Sequence, residues 1–158
     1  MTAEESWDAE EDIFIRPCED TKTLVGRVAT RREWLEGMKI ALNRSDGPDF
    51  LTPIQVARPK NIEAEYRLFV VDHRVVAESS YRIRGQLNVN GYVPQEVIDF
   101  GELMSYQYSP APVFVMDIAI RPNGEFKVVE TNCFNAAGFY SCNEEKIVRA
   151  VTDYVEAH

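Results

Sequence analysis

The sequence predicts an α+β fold, antiparallel sheets with packed helices. Three observations carry that prediction. Two pairs of apolar, β-rich runs are each joined across a short polar turn, Tyr66–Val71 to Val75–Arg82 and Val113–Ile120 to Phe126–Val129, and such pairs read as hairpins. Helical periodicity occurs in three other segments, two of them opened by capping boxes. Strands that pair locally, interleaved with helices, argue for α+β rather than an alternating parallel sheet.

The elements follow in chain order. Residues 1–12 carry Glu4, Glu5, Asp8, Glu10, Glu11 and Asp12 and read as an acidic, flexible arm. Residues 13–158 read as one domain, with two small subdomains as the finer division. Ile13–Pro17 is a strand, and Thr23–Ala29 is a second extended run. Thr30-Arg31-Arg32-Glu33 is a capping box. It opens a helix through about Asn43 with Trp34, Met38 and Leu42 on its apolar side. After a loop at Ser45–Pro48, Thr52–Ala57 is a further strand. Asp72-His73-Arg74 turns the first hairpin, and Gly85–Gly91 reads as a loop. Pro94 suits the first turn of a helix whose apolar positions are Val97, Ile98, Phe100, Leu103 and Met104. Ser141-Cys142-Asn143-Glu144 is the second capping box, before a helix that buries Ile147, Val148, Val151 and Val155.

A chain of 158 residues can bury about 70% of its unfolded surface, enough for a real core. Its net charge of −9 disfavours nucleic acid and anionic membrane as partners. No stretch is long and apolar enough to span a bilayer, and no signal peptide is visible. Cys18, Cys133 and Cys142 have neither disulfide-scaffold nor zinc spacing. Free thiols in a cytoplasmic protein are the simple reading. His73 and His158 sit at a turn and at the chain end, so a Cys/His nucleophile is disfavoured.

Asp117 interrupts an otherwise apolar eight-residue run, and an unpaired buried carboxylate is costly. The turn Arg121-Pro122-Asn123-Gly124 has its own mechanism: Pro presets φ and Gly tolerates the left-handed region. With Arg121 facing Gly124, Asp117 falls opposite Val128. Side-chain alternation then puts Asp117, Val128, Glu130 and Asn132 on one face. Glu130 is the diagonal neighbour of Asp117, about 7–8 Å away at the backbone. Such a set of oxygens suits Mg²⁺, which holds its ligands at about 2.0–2.1 Å. Asn135, in the following loop of small and amide side chains, is a further candidate. A plain solvated face is the competing reading.

Arg16, Lys22, Arg67, Arg82 and Arg84 lie on or beside strands of an acidic protein. Each alone reads as a solvent-facing cation. Beside an acidic metal face they match what a Mg²⁺–triphosphate requires, carboxylates for the ion and cations for the remaining phosphate charge. No Walker-type loop and no GxGxxG is present, so any nucleotide is gripped by sheets.

In order and spacing, Arg16-Pro17 with Lys22 and Gly26, Glu65 to Asp72, Tyr81-Arg82, and Asp117 with Glu130-Thr131-Asn132 resemble the ATP-grasp superfamily, most of all its compact bacterial and phage-associated branch. The resemblance covers about residues 13–140. It implies two α+β subdomains that clasp ATP, and activation of a carboxylate as an acyl phosphate before its joining to an amine or thiol. It further implies that Lys22 meets the phosphates or the adenine edge with Arg16 in support, and that Gln55-Val56-Ala57 pass the adenine. Glu65 would hold the ribose hydroxyls, and Arg67 and Arg82 would neutralise phosphate during transfer. Asp117, Glu130 and Asn132 would hold Mg²⁺. The implied partners are ATP, Mg²⁺, and small-molecule carboxylate and amine or thiol substrates. Two departures stand out: the usual N-terminal substrate domain and a second early lysine are not evident. The alternatives are therefore a catalytically degenerate nucleotide-binding or interaction module, a homo-oligomer, or half of a two-chain ligase.

Overall fold

The computed structural model describes residues 7–18, 26–42 and 53–158. Lys22, the loop at Ser45–Pro48, Asn43, the side chain of Leu42, and the starts of the runs expected at Thr23 and Thr52 lie outside the described residues. The chain divides into two compact units, residues 1–60 and 61–158.

The smaller unit holds β1 (Asp12–Pro17), β2 (Arg27–Thr30), α1 (Arg31–Leu42) and β3 (Ile54–Ala57). Its sheet is antiparallel in the order β2-β1-β3. Thr30 stops β2 and starts α1. Its hydroxyl accepts from Glu33 N at 3.2 Å, and the Glu33 carboxylate accepts from Thr30 N at 3.0 Å, so two end-of-helix donors are satisfied reciprocally. Ile13 and Ile15 of β1 bury against Trp34, with Trp7 and Met38 packed alongside. Residues 7–12, expected as the end of a loose arm, are tied down here. Besides that packing, Arg58 lies 4.8 Å over the Trp7 ring and donates to Glu11 at 2.9 Å.

The larger unit holds β4 (Ala64–Val71), β5 (Arg74–Ile83), β6 (Gln86–Asn90), α2 (Gln95–Gln107), β7 (Val113–Ile120), β8 (Phe126–Cys133), a 3-10 turn at Phe134–Ala136 and α3 (Glu144–Ala157). Its sheet runs β6-β5-β4-β7-β8, with antiparallel neighbours throughout. β4 and β7 occupy central positions, so both their faces are covered and both read as continuous apolar runs. One face carries Tyr66, Leu68, Val70, Phe114, Met116 and Ile118 against Val97 of α2. The other carries Phe69, Ala77 and Val115 against Ile147 of α3. Asp72 and His73 at the β4–β5 turn have φ of 46° and 65°, the left-handed pair that suits a two-residue hairpin loop. Gly101 lets α2 approach closely: a Cβ there would stand 2.3 Å from Leu68 Cδ1.

Several sequence expectations are corrected. Gly85–Gly91 contains strand β6; its Leu87 and Val89 are exposed, so no buried alternation marked it. Pro94 is the residue that caps α2 rather than its first helical position. Asn143, not Ser141, caps α3 by accepting from Lys146 N at 3.0 Å. Leu103, Val148 and Val155 are exposed, because both helices meet the sheet through narrower stripes than their apolar periodicity suggested.

Candidate functional site

The hairpin of β7 and β8 does not have the register expected from its turn. Arg121 N donates to Glu125 O at 2.9 Å, so the ladder starts one residue out and pairs Ile118 with Val128. A regular ladder from there would set Val129 against Asp117. A bulge intervenes, and Asp117 pairs directly with Glu130 and Val115 with Asn132. Asp117 is therefore directly opposite Glu130, not diagonal to it, which brings the two backbones within about 4.5–5.5 Å. Bulges that re-aim side chains are common beside functional sites.

The structure thus brings Asp117, Glu130 and Asn132 onto one face of the sheet, the face on which α3 packs farther along. Asn132 Nδ2 donates to Glu130 Oε1 at 3.0 Å. Across β4 the same row continues: Arg67 pairs with Asp117 on one side and Ser79 on the other, and the next row pairs Glu65 with Arg82. Arg67 grips Asp117 with a fork, Nε to Oδ1 at 2.9 Å and Nη2 to Oδ2 at 2.8 Å. Both partners are buried, and Arg67 Nη1 also donates to Gly138 O at 3.3 Å. Burial pushes the Asp117 carboxyl above its ordinary value, Arg67 opposes this, and the neighbouring Glu130 adds to it through charge and a hydrogen bond. Glu65 is likewise raised by burial, with Arg82 opposing. Two carboxylates that disfavour one another's charge form a place for a proton or a cation.

Two tyrosines complete this wall. Tyr81 occupies a bulge in β5 and stacks on Tyr140 at 4.8 Å. The Arg67 guanidinium lies 4.8 Å from the Tyr140 ring, and Arg82 lies 5.0 Å over Tyr81. Neither ring was marked as functional by the sequence. A bulge and a non-glycine residue at positive φ leave no periodic signal to find.

The other candidates fall elsewhere. Asn135 stands in the 3-10 turn, beside an open hollow of about 390 Å³ that Asn132 also borders and that Phe114 and Phe134 help to make mostly apolar. On the smaller unit, Arg16 pairs with Gln55 and Phe14 with Ala57, so these four share the face turned away from the α1 core. Cys142 is buried and its thiol is pushed up to about 12 by that burial, which makes it inert. Cys18 and Cys133 are free and exposed. Among the described residues no cluster of three or more His, Cys, Asp or Glu side chains could hold a metal. Any ion on this face would need the amide oxygen of Asn132 as well as the two carboxylates. Among the same residues no helix is long and apolar enough to cross a membrane.

An antiparallel α+β chain with an acidic hairpin face set beside buried arginines is of the kind that handles anionic, metal-bound ligands. A family model for the ATP-grasp domain, clade family 3, matches residues 2–151, and the chain belongs to that family. Curated proteins supply no match. Among solved structures, the fold is similar to the ATP-grasp ligase PsnB complexed with precursor peptide PsnA2 and AMPPNP, at a TM-score of 0.52 and 17% identity over 82% of this chain and 38% of that one. PsnB complexed with a phosphomimetic variant of its minimal precursor, Mg and ADP gives 0.52 and 16% over the same shares. A RiPP-associated ATP-grasp ligase of Chryseobacterium gregarium, in complex with ADP and a leader and core peptide, gives 0.52 and 15% over 93% of this chain and 49% of that one. The chain spans less than half the length of these neighbours.

Proposed function

We propose that the chain binds Mg·ATP and uses it to activate a carboxylate as an acyl phosphate, which an amine or thiol then attacks. The observation that carries this reading is the direct apposition of Asp117 and Glu130, with Asn132 alongside and Arg67 and Arg82 in the adjoining rows. The donor set fits Mg²⁺: two hard carboxylates that crowd one another, and an amide whose Nδ2 is already engaged, leaving its oxygen to a ligand. Bound there, the ion supplies neutralisation of charge on the transferred phosphoryl group.

The chain's own groups divide the remaining work. Glu65 accepts from the ribose hydroxyls. Arg82 is the catalytic cation that meets the phosphoryl oxygens. Arg67, forked on Asp117, adds positive charge behind the carboxylates. Arg16, Gln55, Ala57 and Lys22 recognise nucleotide from the smaller unit. The substrate carboxylate attacks the γ-phosphorus and ADP leaves; the amine or thiol then attacks the acyl carbon, phosphate leaves and the nucleophile gives up its proton. The peptides held by PsnB and the Chryseobacterium enzyme suggest a peptide as one substrate. A cytoplasmic location suits ATP and free thiols.

A second reading is binding without turnover, or turnover only with a second chain. It is favoured by the engagement of both Asp117 oxygens by Arg67. Calorimetry and thermal denaturation with Mg·ATP, against ATP with EDTA, test the binding. A ligand at 100 times its Kd stabilises by about 2.7 kcal/mol. Glu130→Ala removes that gain if the site is right. Wild-type protein that ignores Mg·ATP, or a Glu130→Ala variant that binds it normally, sinks the proposal. Release of ADP with peptide substrates separates the ligase from the silent binder.

A further inference from the structure

Tyr140 has φ of 52°, a conformation costly for a bulky side chain and held only where the surroundings over-determine it. Here the surroundings do so. Two residues before it, Gly138 O accepts from Arg67 Nη1 at 3.3 Å; one residue after it, Ser141 N donates to Ser79 Oγ at 3.2 Å. Ser79 is the direct cross-strand partner of Arg67. The segment is thus pinned twice to the same row of the sheet, and the ring between the pins lies against the guanidinium. Tyr81, diverted by its bulge, backs that ring at 4.8 Å and stands 5.7 Å from the same guanidinium. The guanidinium hydrogens of Arg67 all lie in one plane. With two nitrogens committed to Asp117 and the third to Gly138, aromatic rings are what remains to hold the group in place.

We propose that Tyr140, backed by Tyr81, is a positioning residue: it clamps Arg67 against Asp117 and so sets the Asp117–Glu130 pair in the geometry that receives a divalent cation. The inference rests on the Mg·ATP reading. Arg67 acts in it as the part that transmits position, since a fork held in one orientation fixes both carboxylate oxygens of its partner. The backbone conformation at Tyr140 has its reason here too, because only from that φ do the flanking anchors leave the ring beside Arg67.

The test uses Tyr140→Leu, Tyr140→Phe and Tyr140→Gly in the full chain. Glycine relieves the backbone while deleting the ring, so it guards against a folding artefact of leucine. The first measurement is solvent exchange of the Arg67 Nε–H by NMR, without nucleotide. Exchange speeds up about tenfold or more in the leucine and glycine variants, the scale of a desolvated cation–π contact, and stays within about threefold in phenylalanine. The second is the Mg²⁺ concentration needed for half-maximal ATP binding, by calorimetry. It rises about tenfold in the ring-deleted variants and is restored by phenylalanine, with metal-free ATP binding unchanged. Wild-type binding of Mg·ATP together with ring-deleted variants that match it overturns the positioning role alone. Wild-type protein that binds no Mg·ATP overturns the functional reading, and the cation-setting role with it.

Discussion

Arg67→Met breaks the most buried ion pair described in this chain, and its cost can be worked from the structure. The Arg67 and Asp117 side chains are 9% and 5% exposed, so little water reaches either. The substitution deletes both bonds to Asp117 and the bond to Gly138 O. It leaves a carboxylate with no guanidinium in a site that already disfavours its charge. Removing one partner of such a pair costs about 3–5 kcal/mol, whereas replacing both by well-packed apolar groups is often neutral or stabilising. The assay is urea unfolding of wild type, Arg67→Met and the double variant Arg67→Met/Asp117→Leu. The single variant loses several kcal/mol and the double variant recovers most of the loss. The single variant also acquires a pH signature. Burial raises the folded-state pKa of Asp117, and with the opposing arginine gone nothing offsets it. Stability is then fullest below the unfolded carboxyl value of about 3.9 and is lost as pH rises through the raised folded value. A single variant that loses under about 1 kcal/mol, or a double variant no better than the single, refutes the view that the cost is a stranded buried charge.

Other outcomes follow from the same contacts. Gly101→Ala, which places a methyl 2.3 Å from Leu68 Cδ1, destabilises by about 1–3 kcal/mol in chemical denaturation because the core has no slack for it. Thr30→Ala removes the hydroxyl half of the α1 capping box and costs about 1 kcal/mol. The Glu33 carboxyl is lowered by its hydrogen bonds to Thr30. Its stabilising effect is present above the ordinary value and lost as pH falls through the lowered one, so Glu33→Gln flattens acid unfolding below about pH 4.3. A maleimide at neutral pH labels Cys18 and Cys133 in the native protein and Cys142 only after unfolding, as mass spectrometry will show.

Much of the fold was legible because its signals are local. The Thr30–Glu33 box and the left-handed Asp72-His73 turn depend on a few neighbouring residues and on backbone sterics. β6 was not legible, since a strand with both faces exposed carries no alternation to read. The same holds for the buried stripes of α2 and α3. Apolar periodicity marks where a helix can be covered, and the sheet beneath decides how much of it is. Lys22, placed at the phosphates by resemblance, lies outside the described residues.

The site shows the division most clearly. By itself the sequence determined the inventory: Asp117, Glu130 and Asn132 at alternating spacing on paired strands, and Arg67 and Arg82 within reach of a neighbouring ladder. Alternation along a strand is a property of the backbone, so it can be counted from the chain alone. Only the tertiary structure decided that Asp117 faces Glu130 directly, that Arg67 turns onto Asp117, and that Tyr140 closes over both. Each of these depends on a bulge or on a segment pinned by partners some 60 to 70 positions away. A one-residue shift in register or a left-handed tyrosine is set by the sum of such distant contacts, and no local window contains it.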